Sequence, residues 1–230
     1  MSLFTLEGFL FLLRWVHFMA GITWIGMLYY LNFAQTPFLA TELGGQARSP
    51  MVRGLVPTVL WWFRWGAMFT FLTGWTIVIT KMVVGGSSEA YYATILTGGL
   101  LGSFMWFNVW FVIMPRQYVI MANAEGVAAG KPADPNAAAV APVAGRASRT
   151  NTLFSIPMLF FMGAASHLTI ASRTEPLVVP YLVVVVILTT IFEANIFTGT
   201  VPKPLSTVSG TIHSGLGLTL VLFVAATALL

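Results

Sequence analysis

Arg14 and His17 stand three residues apart inside an apolar run, Gly8 to Phe38, that is long enough to cross a bilayer, for which about 20 residues suffice. At helical spacing Arg14, His17, Gly21, Trp24 and Leu28 share one stripe, so a cation, an imidazole and the gap left by a missing side chain face the same way. A charge in hydrocarbon costs about 2.5 kcal/mol or more, and the stripe is therefore expected to face the interior of a helix bundle. Farther along, His167 has Gly163 one turn away, as His17 has Gly21. A bis-imidazole b-type haem needs a histidine from each of two helices and room for a flat macrocycle, and His17, Gly21, His167 and Gly163 would supply both. The haem iron would sit between His17 and His167, with Arg14 meeting a propionate. The competing reading makes these structural histidines bonded to neighbouring groups, as polar side chains in hydrocarbon must be. His17 with His213 is the runner-up pairing.

A second polar set lies nearer the other membrane face: Arg64, Asn108, Glu193, Asn195 and His213. The first expectation for it is a charge-neutral Arg64–Glu193 pair that locks the bundle, since an unpaired charge there is costly. The alternative is a proton path or quinone site in which Glu193 and His213 exchange protons. Arg64, Asn108, Glu193 and His213 are thus the candidates for catalysis. Three histidines without a carboxylate cluster make a poor dedicated metal cage. With no cysteine there is no thiolate site, no disulfide and no C-x-x-C-H motif for covalent haem, so any cofactor is held non-covalently. Phosphate-loop, dinucleotide, H-E-x-x-H and G-x-S-x-G motifs are absent.

The elements that must position these residues are membrane helices. Of the 230 residues 57% are hydrophobic and 8% charged, and the mean hydropathy is +0.85, a composition that a water-soluble core of this size cannot hide. The fold expected is all-α, a polytopic membrane helical bundle of about six transmembrane helices forming a single domain over residues 1–230. The spans run roughly Gly8–Leu31, Val56–Val83, Tyr92–Met114, Asn151–Ser172, Leu177–Phe197 and Thr207–Leu230. An Ala/Pro/Gly stretch at about 126–147 reads as a linker or docking strap. The N-terminus lacks a basic start and a cleavage site, so the run from Gly8 reads as a retained span.

Loop charge sets the orientation. Arg48, Arg53, Arg116, Lys131, Arg146, Arg149 and Lys203 lie in the first, third and fifth loops, against Lys81 and Arg173 in the second and fourth. The positive-inside rule then puts the 126–147 loop in the cytoplasm and both termini in the periplasm of a bacterial inner membrane. The net charge of +4 belongs to these loops, and no nucleic-acid binding is inferred from it.

Four strings, LLRWVHFMAGITWIGMLYYLNFAQTP, LWWFRWGAMFTFLTGW, GSFMWFNVWFVIMPRQ and ASRTNTLFSIPMLFFMGAASH, resemble in order the membrane domain of the bacterial membrane-bound, cytochrome-c-linked urate hydroxylases, with a weaker echo in EANIF and VSGTIHSGLGLTL. The first string alone is also similar to the copper-resistance D and membrane protoporphyrinogen oxidase families. The resemblance implies an inner-membrane redox protein that passes electrons from a small substrate toward the respiratory chain. On matching positions it singles out His17, Arg64, Asn108, Arg149, Asn151 and His167. Full-length members carry a C-terminal cytochrome c, whereas this sequence holds no C-x-x-C-H, so the partners expected are the lipid bilayer, other membrane subunits and a separate cytochrome or quinone. A different class of function fits the same composition: a non-catalytic accessory subunit that stabilises a larger respiratory or photosynthetic complex.

Overall fold

The computed structural model describes residues 3–168, 170, 173–199 and 203–230. Among them the chain forms six helical rods: α1 (Leu6–Leu39), α2 (Glu42–Val84), α3 (Glu89–Ala128), α4 (Pro135–His167), α5 (Val178–Thr198) and α6 (Val208–Leu229). Local chemistry starts most of them. Thr5, Thr41, Ser88, Asp134 and Thr207 each accept a backbone N–H of the first turn of α1, α2, α3, α4 and α6 in turn. Gly85 and Gly199, at φ of 77° and 84°, end α2 and α5 in a conformation that side-chain-bearing residues avoid.

The first three rods outrun the spans read from hydropathy, because each passes through a wide π turn instead of stopping. These turns are Tyr30–Gln35, Met51–Leu55 and Asn108–Ile113, and a proline follows two residues after each, at Pro37, Pro57 and Pro115. Proline has no N–H and its ring crowds the carbonyl four residues back. The residue before each proline bonds five residues back instead: Thr36 to Leu31, Val56 to Met51 and Met114 to Val109. The helix thereby passes the proline without breaking.

Five of the rods, α1, α2, α3, α5 and α6, are long and apolar enough to cross a membrane. Their outward residues are large and apolar, among them Trp15, Phe18, Ile22, Ile187, Ile191 and Leu220. An apolar exterior of this kind belongs to a membrane protein in contact with lipid. The sixth rod, α4, is more polar and sits at the centre, packed against α3, α5 and α6 and touching α1. Its Thr150, Asn151, Thr152 and Ser155 are buried beside Leu153, Phe154 and Phe161. α1 and α2 form the other tight pair.

The stretch read as a linker, 126–147, is mostly helix. α3 continues to Ala128, and α4 begins at Pro135 behind the Asp134 cap, which leaves only 129–134 between them. Alanines supply the helical propensity, and Pro135 occupies the first-turn position where its missing N–H costs nothing. Arg146 and Arg149 project from this part of α4 and clamp the far connection: Arg146 Nε donates to Ile196 O at 2.8 Å and Arg149 Nη1 to Leu205 O at 2.7 Å. The fourth span read from hydropathy ends at Ser172, which lies outside the described residues.

Candidate functional site

α1, α2, α3 and α4 enclose a cavity of about 520 Å³, within the usual range for a small-molecule or cofactor site. Its walls are mainly apolar, with Phe71, Trp75, Ile95, Met158 and Met162 among them. Arg14 and His17 reach it from α1, Lys81 from α2, and Gly163 and His167 from the end of α4. Among the described residues the cavity lining contains no acidic side chain. Lys81 Nζ donates to Tyr91 Oη at 3.1 Å and lies 4.7 Å from the centre of that ring. The site therefore combines cationic side chains with mainly apolar walls.

His17 is held by α2. Thr73 Oγ1 makes a short bond of 2.6 Å to Phe69 O, which takes the hydroxyl proton, and lies 3.1 Å from His17 Nδ1. The hydroxyl oxygen is then the acceptor and Nδ1 the donor, leaving Nε2 unprotonated and able to bind a metal or accept a hydrogen bond. The ring fits because position 74 is glycine: a Cβ there would come within 2.9 Å of His17 Cε1. Replacing Thr73 with Val removes this acceptor and leaves the ring only its backbone contact with Thr70, and ¹⁵N spectra of the histidine-labelled protein should then show His17 lose part of its preference for the Nδ1–H tautomer. With only three histidines in the chain the assignment is direct.

The stripe read from the sequence turns inward at Trp24 and Leu28, which are buried, and His17 and Trp24 line the cavity, but Arg14 at its outer end reaches the cavity while remaining exposed. Gly21 does not line it. A Cβ on Gly21 would meet only Thr70 at 3.9 Å, an ordinary contact, so the missing side chain beside His17 is supplied across the interface by Gly74. Gly163 faces open space at the cavity wall, where Gly99 and Gly102 lie as well. Trp24 is the residue that sequence reasoning did not single out for function. It is 1% exposed, and its Nε1–H has no partner.

The second polar set does not come together as the sequence suggested. No Arg64–Glu193 pair forms: the one ion pair among the described residues joins Arg53 Nε to Glu125 Oε2 at 3.0 Å. Arg64 instead donates through Nη1 to Tyr118 Oη and lies 5.7 Å from the Trp65 ring. Two helices at one depth can present their polar groups to different neighbours, and Arg64 finds its partner on α3. His213 is exposed and bonds its own helix, with Nδ1 donating to Ser209 O at 2.7 Å. It meets neither Glu193 nor the cavity, so the His17–His213 pairing and the Glu193–His213 exchange both lack a contact.

Glu193 is joined to amides. Asn151 Nδ2 donates to Met105 O at 3.0 Å, which turns Asn151 Oδ1 toward Asn108; Asn108 Nδ2 donates to it at 2.9 Å and to Glu193 Oε2 at 3.1 Å. This chain links α3, α4 and α5 at the residue that opens the third π turn.

Six helical rods, five of them long and apolar enough to cross a membrane, with Arg14, Lys81 and a histidine at one pocket, define a helical-bundle membrane protein with a cavity of small-molecule size. Residues 87–200, just under half of the sequence, match the family described as urate oxidase N-terminal, and that part of the chain belongs with it. No curated protein and no solved structure matches the chain. The matched span runs from the start of α3 through α5 and so contains Asn108, Arg149, Asn151, Gly163, His167 and Glu193. Arg14, His17 and Arg64, on α1 and α2, lie before it.

Proposed function

We propose that this chain is a redox subunit of the bacterial inner membrane, its termini periplasmic, that holds a b-type haem non-covalently in the cavity between α1, α2, α3 and α4 and exchanges electrons with a separate cytochrome or quinone. The observation that carries the reading is His17, an imidazole whose Nδ1 is committed to Thr73 and whose Nε2 is left for a ligand, at the wall of a pocket that cationic side chains also line. The residues present suit the group. Arg14 and Lys81 would offset two propionates, Gly99, Gly102 and Gly163 place no side chain at the wall, and His167 is the second nitrogen ligand on offer. When bound, the haem would supply one-electron chemistry.

The protein's own part is to bind, orient and exclude water. Thr73 fixes the His17 tautomer and ring plane, as partners behind a metal-binding histidine generally do. Phe71, Trp75, Met158 and Met162 keep the interior apolar. Trp24 Nε1–H, otherwise unpaired, is available to an acceptor on the occupant.

A reduced-minus-oxidised absorbance spectrum of the purified protein tests this. The expected result is a b-type α-band that His17→Ala abolishes and His213→Ala leaves in place. A featureless spectrum from folded protein made with ample haem would overturn the proposal and leave the accessory-subunit role.

A further inference from the structure

The other six acidic side chains, Glu7, Glu42, Glu89, Glu125, Asp134 and Glu175, are all exposed; Glu193 alone is buried, in the middle of the bundle at 9% exposure. Its Oε2 accepts one hydrogen bond, from Asn108 Nδ2, and its Oε1 has no partner. Asn108 Oδ1, on the same amide, is also buried without a partner. The orientation of both amides is fixed from outside the pair. Met105 O requires Asn151 Nδ2, so Asn151 Oδ1 faces Asn108, and both Asn108 N–H groups are then spent on Asn151 Oδ1 and Glu193 Oε2. Two orphaned acceptors on one acid–amide pair, with no donor between them, are what remains.

Among the described residues no cation bonds Glu193. Arg64 bonds Tyr118, Arg146 bonds Ile196 O, Arg149 bonds Leu205 O, and His213 is turned outward onto its own helix. An ionised carboxylate with a single neutral hydrogen bond in such surroundings carries a solvation cost that no described neighbour offsets. One proton resolves both problems: placed on Oε1 it removes the charge and turns an orphaned acceptor into the donor that Asn108 Oδ1 lacks. A small rotation about the Glu193 side chain then closes the second arm of an acid–amide pair whose first arm is already made at 3.1 Å.

We propose that Glu193, Asn108 and Asn151 form a proton-binding site in the bundle interior, with the proton resident on Glu193 Oε1. The site is separate from the cavity, none of whose lining residues belongs to it. Asn108 opens a π turn, and such turns often mark places where a helix is adapted to a function.

Infrared spectroscopy of the protein in lipid reads this directly. At neutral pH the wild type should show the C=O stretch of a protonated carboxyl, shifted by deuteration, and Glu193→Gln should remove it. Because a glutamine copies the neutral acid, with its amide oxygen accepting from Asn108 Nδ2 and its N–H donating to Asn108 Oδ1, Glu193→Gln should also fold with a melting temperature equal to or above that of the wild type. His17→Ala should keep the band, so loss of a cofactor and loss of this site are distinguishable. Absence of the band from the wild type, or misfolding of Glu193→Gln, would overturn the proposal.

Discussion

Gly66→Leu is expected to separate α1 from α2 and to cost about 1–3 kcal/mol or more in stability. A Cβ at position 66 would lie 3.0 Å from Trp24 N, 3.2 Å from Ala20 O and 3.3 Å from Trp24 Cα. All three are backbone atoms, which cannot swing aside as the end of a side chain can. Membrane helices associate through close packing of small residues, with no hydrophobic drive between them, so lost van der Waals contact is the main term. The damage extends to the cavity, because Thr73 and Gly74 hold His17 in the same interface. Thermal unfolding in detergent should show the loss, and the variant should also fail to retain whatever occupies the cavity. Gly26→Ala is the control. A Cβ there meets nothing within 4 Å, and alanine is the better helix former, so stability should hold or rise slightly.

Asn151→Leu should be comparably severe for a different reason. The leucine fills the space but removes a donor and an acceptor at once at a position that is 0% exposed, leaving one Asn108 side-chain N–H without its partner and Met105 O with only the backbone N–H of Asn108. Each stranded buried group costs about 1–3 kcal/mol. The loss also frees the Asn108 amide to turn, which loosens its grip on Glu193. Chemical unfolding should show a large drop for Asn151→Leu. Thr152→Ala, one residue away, removes only a bond to the helix's own Ser148 O at 3.0 Å and should cost under about 1 kcal/mol.

Much of the architecture is legible in the sequence because membrane helices announce themselves by length and apolarity. Five of the six rods are visible on those grounds. α4 is visible only in its second half, since its first half is an alanine-rich stretch whose low complexity resembles a linker, and the signal that it is helix is the short Asp134-Pro135 start. The stripe through Arg14, His17, Gly21 and Trp24 gives the face of α1 that turns inward at Trp24, because periodicity within one helix is a local property. It cannot name the partner across the interface, and so Gly74 stands where Gly21 was expected to act.

The Arg64–Glu193 expectation fails on similar ground. Hydropathy gives each residue a depth but no direction around its helix, and charge balance then suggests a pair wherever two opposite charges share a level. Here Arg64 turns to Tyr118, and Glu193 is met by amides, which can bond a carboxyl without carrying charge. Asn108 and Asn151 draw notice in the sequence through the strings FNVWF and SRTNT, not through any pattern of spacing, because two asparagines on helices forty-three positions apart leave no periodic trace.

The central place of α4 bears on how the protein is made. A rod carrying Thr150, Asn151, Thr152 and Ser155 in its middle, and a proline at 157, is a poor candidate to leave the translocation machinery for lipid alone. Its polar groups are satisfied by α1, α3, α5 and by its own turns, so it becomes stable in the bilayer only in their company. Biogenesis therefore has a built-in order, in which the greasy rods made earlier wait as a half-finished scaffold and the last two complete the enclosure around a polar thread.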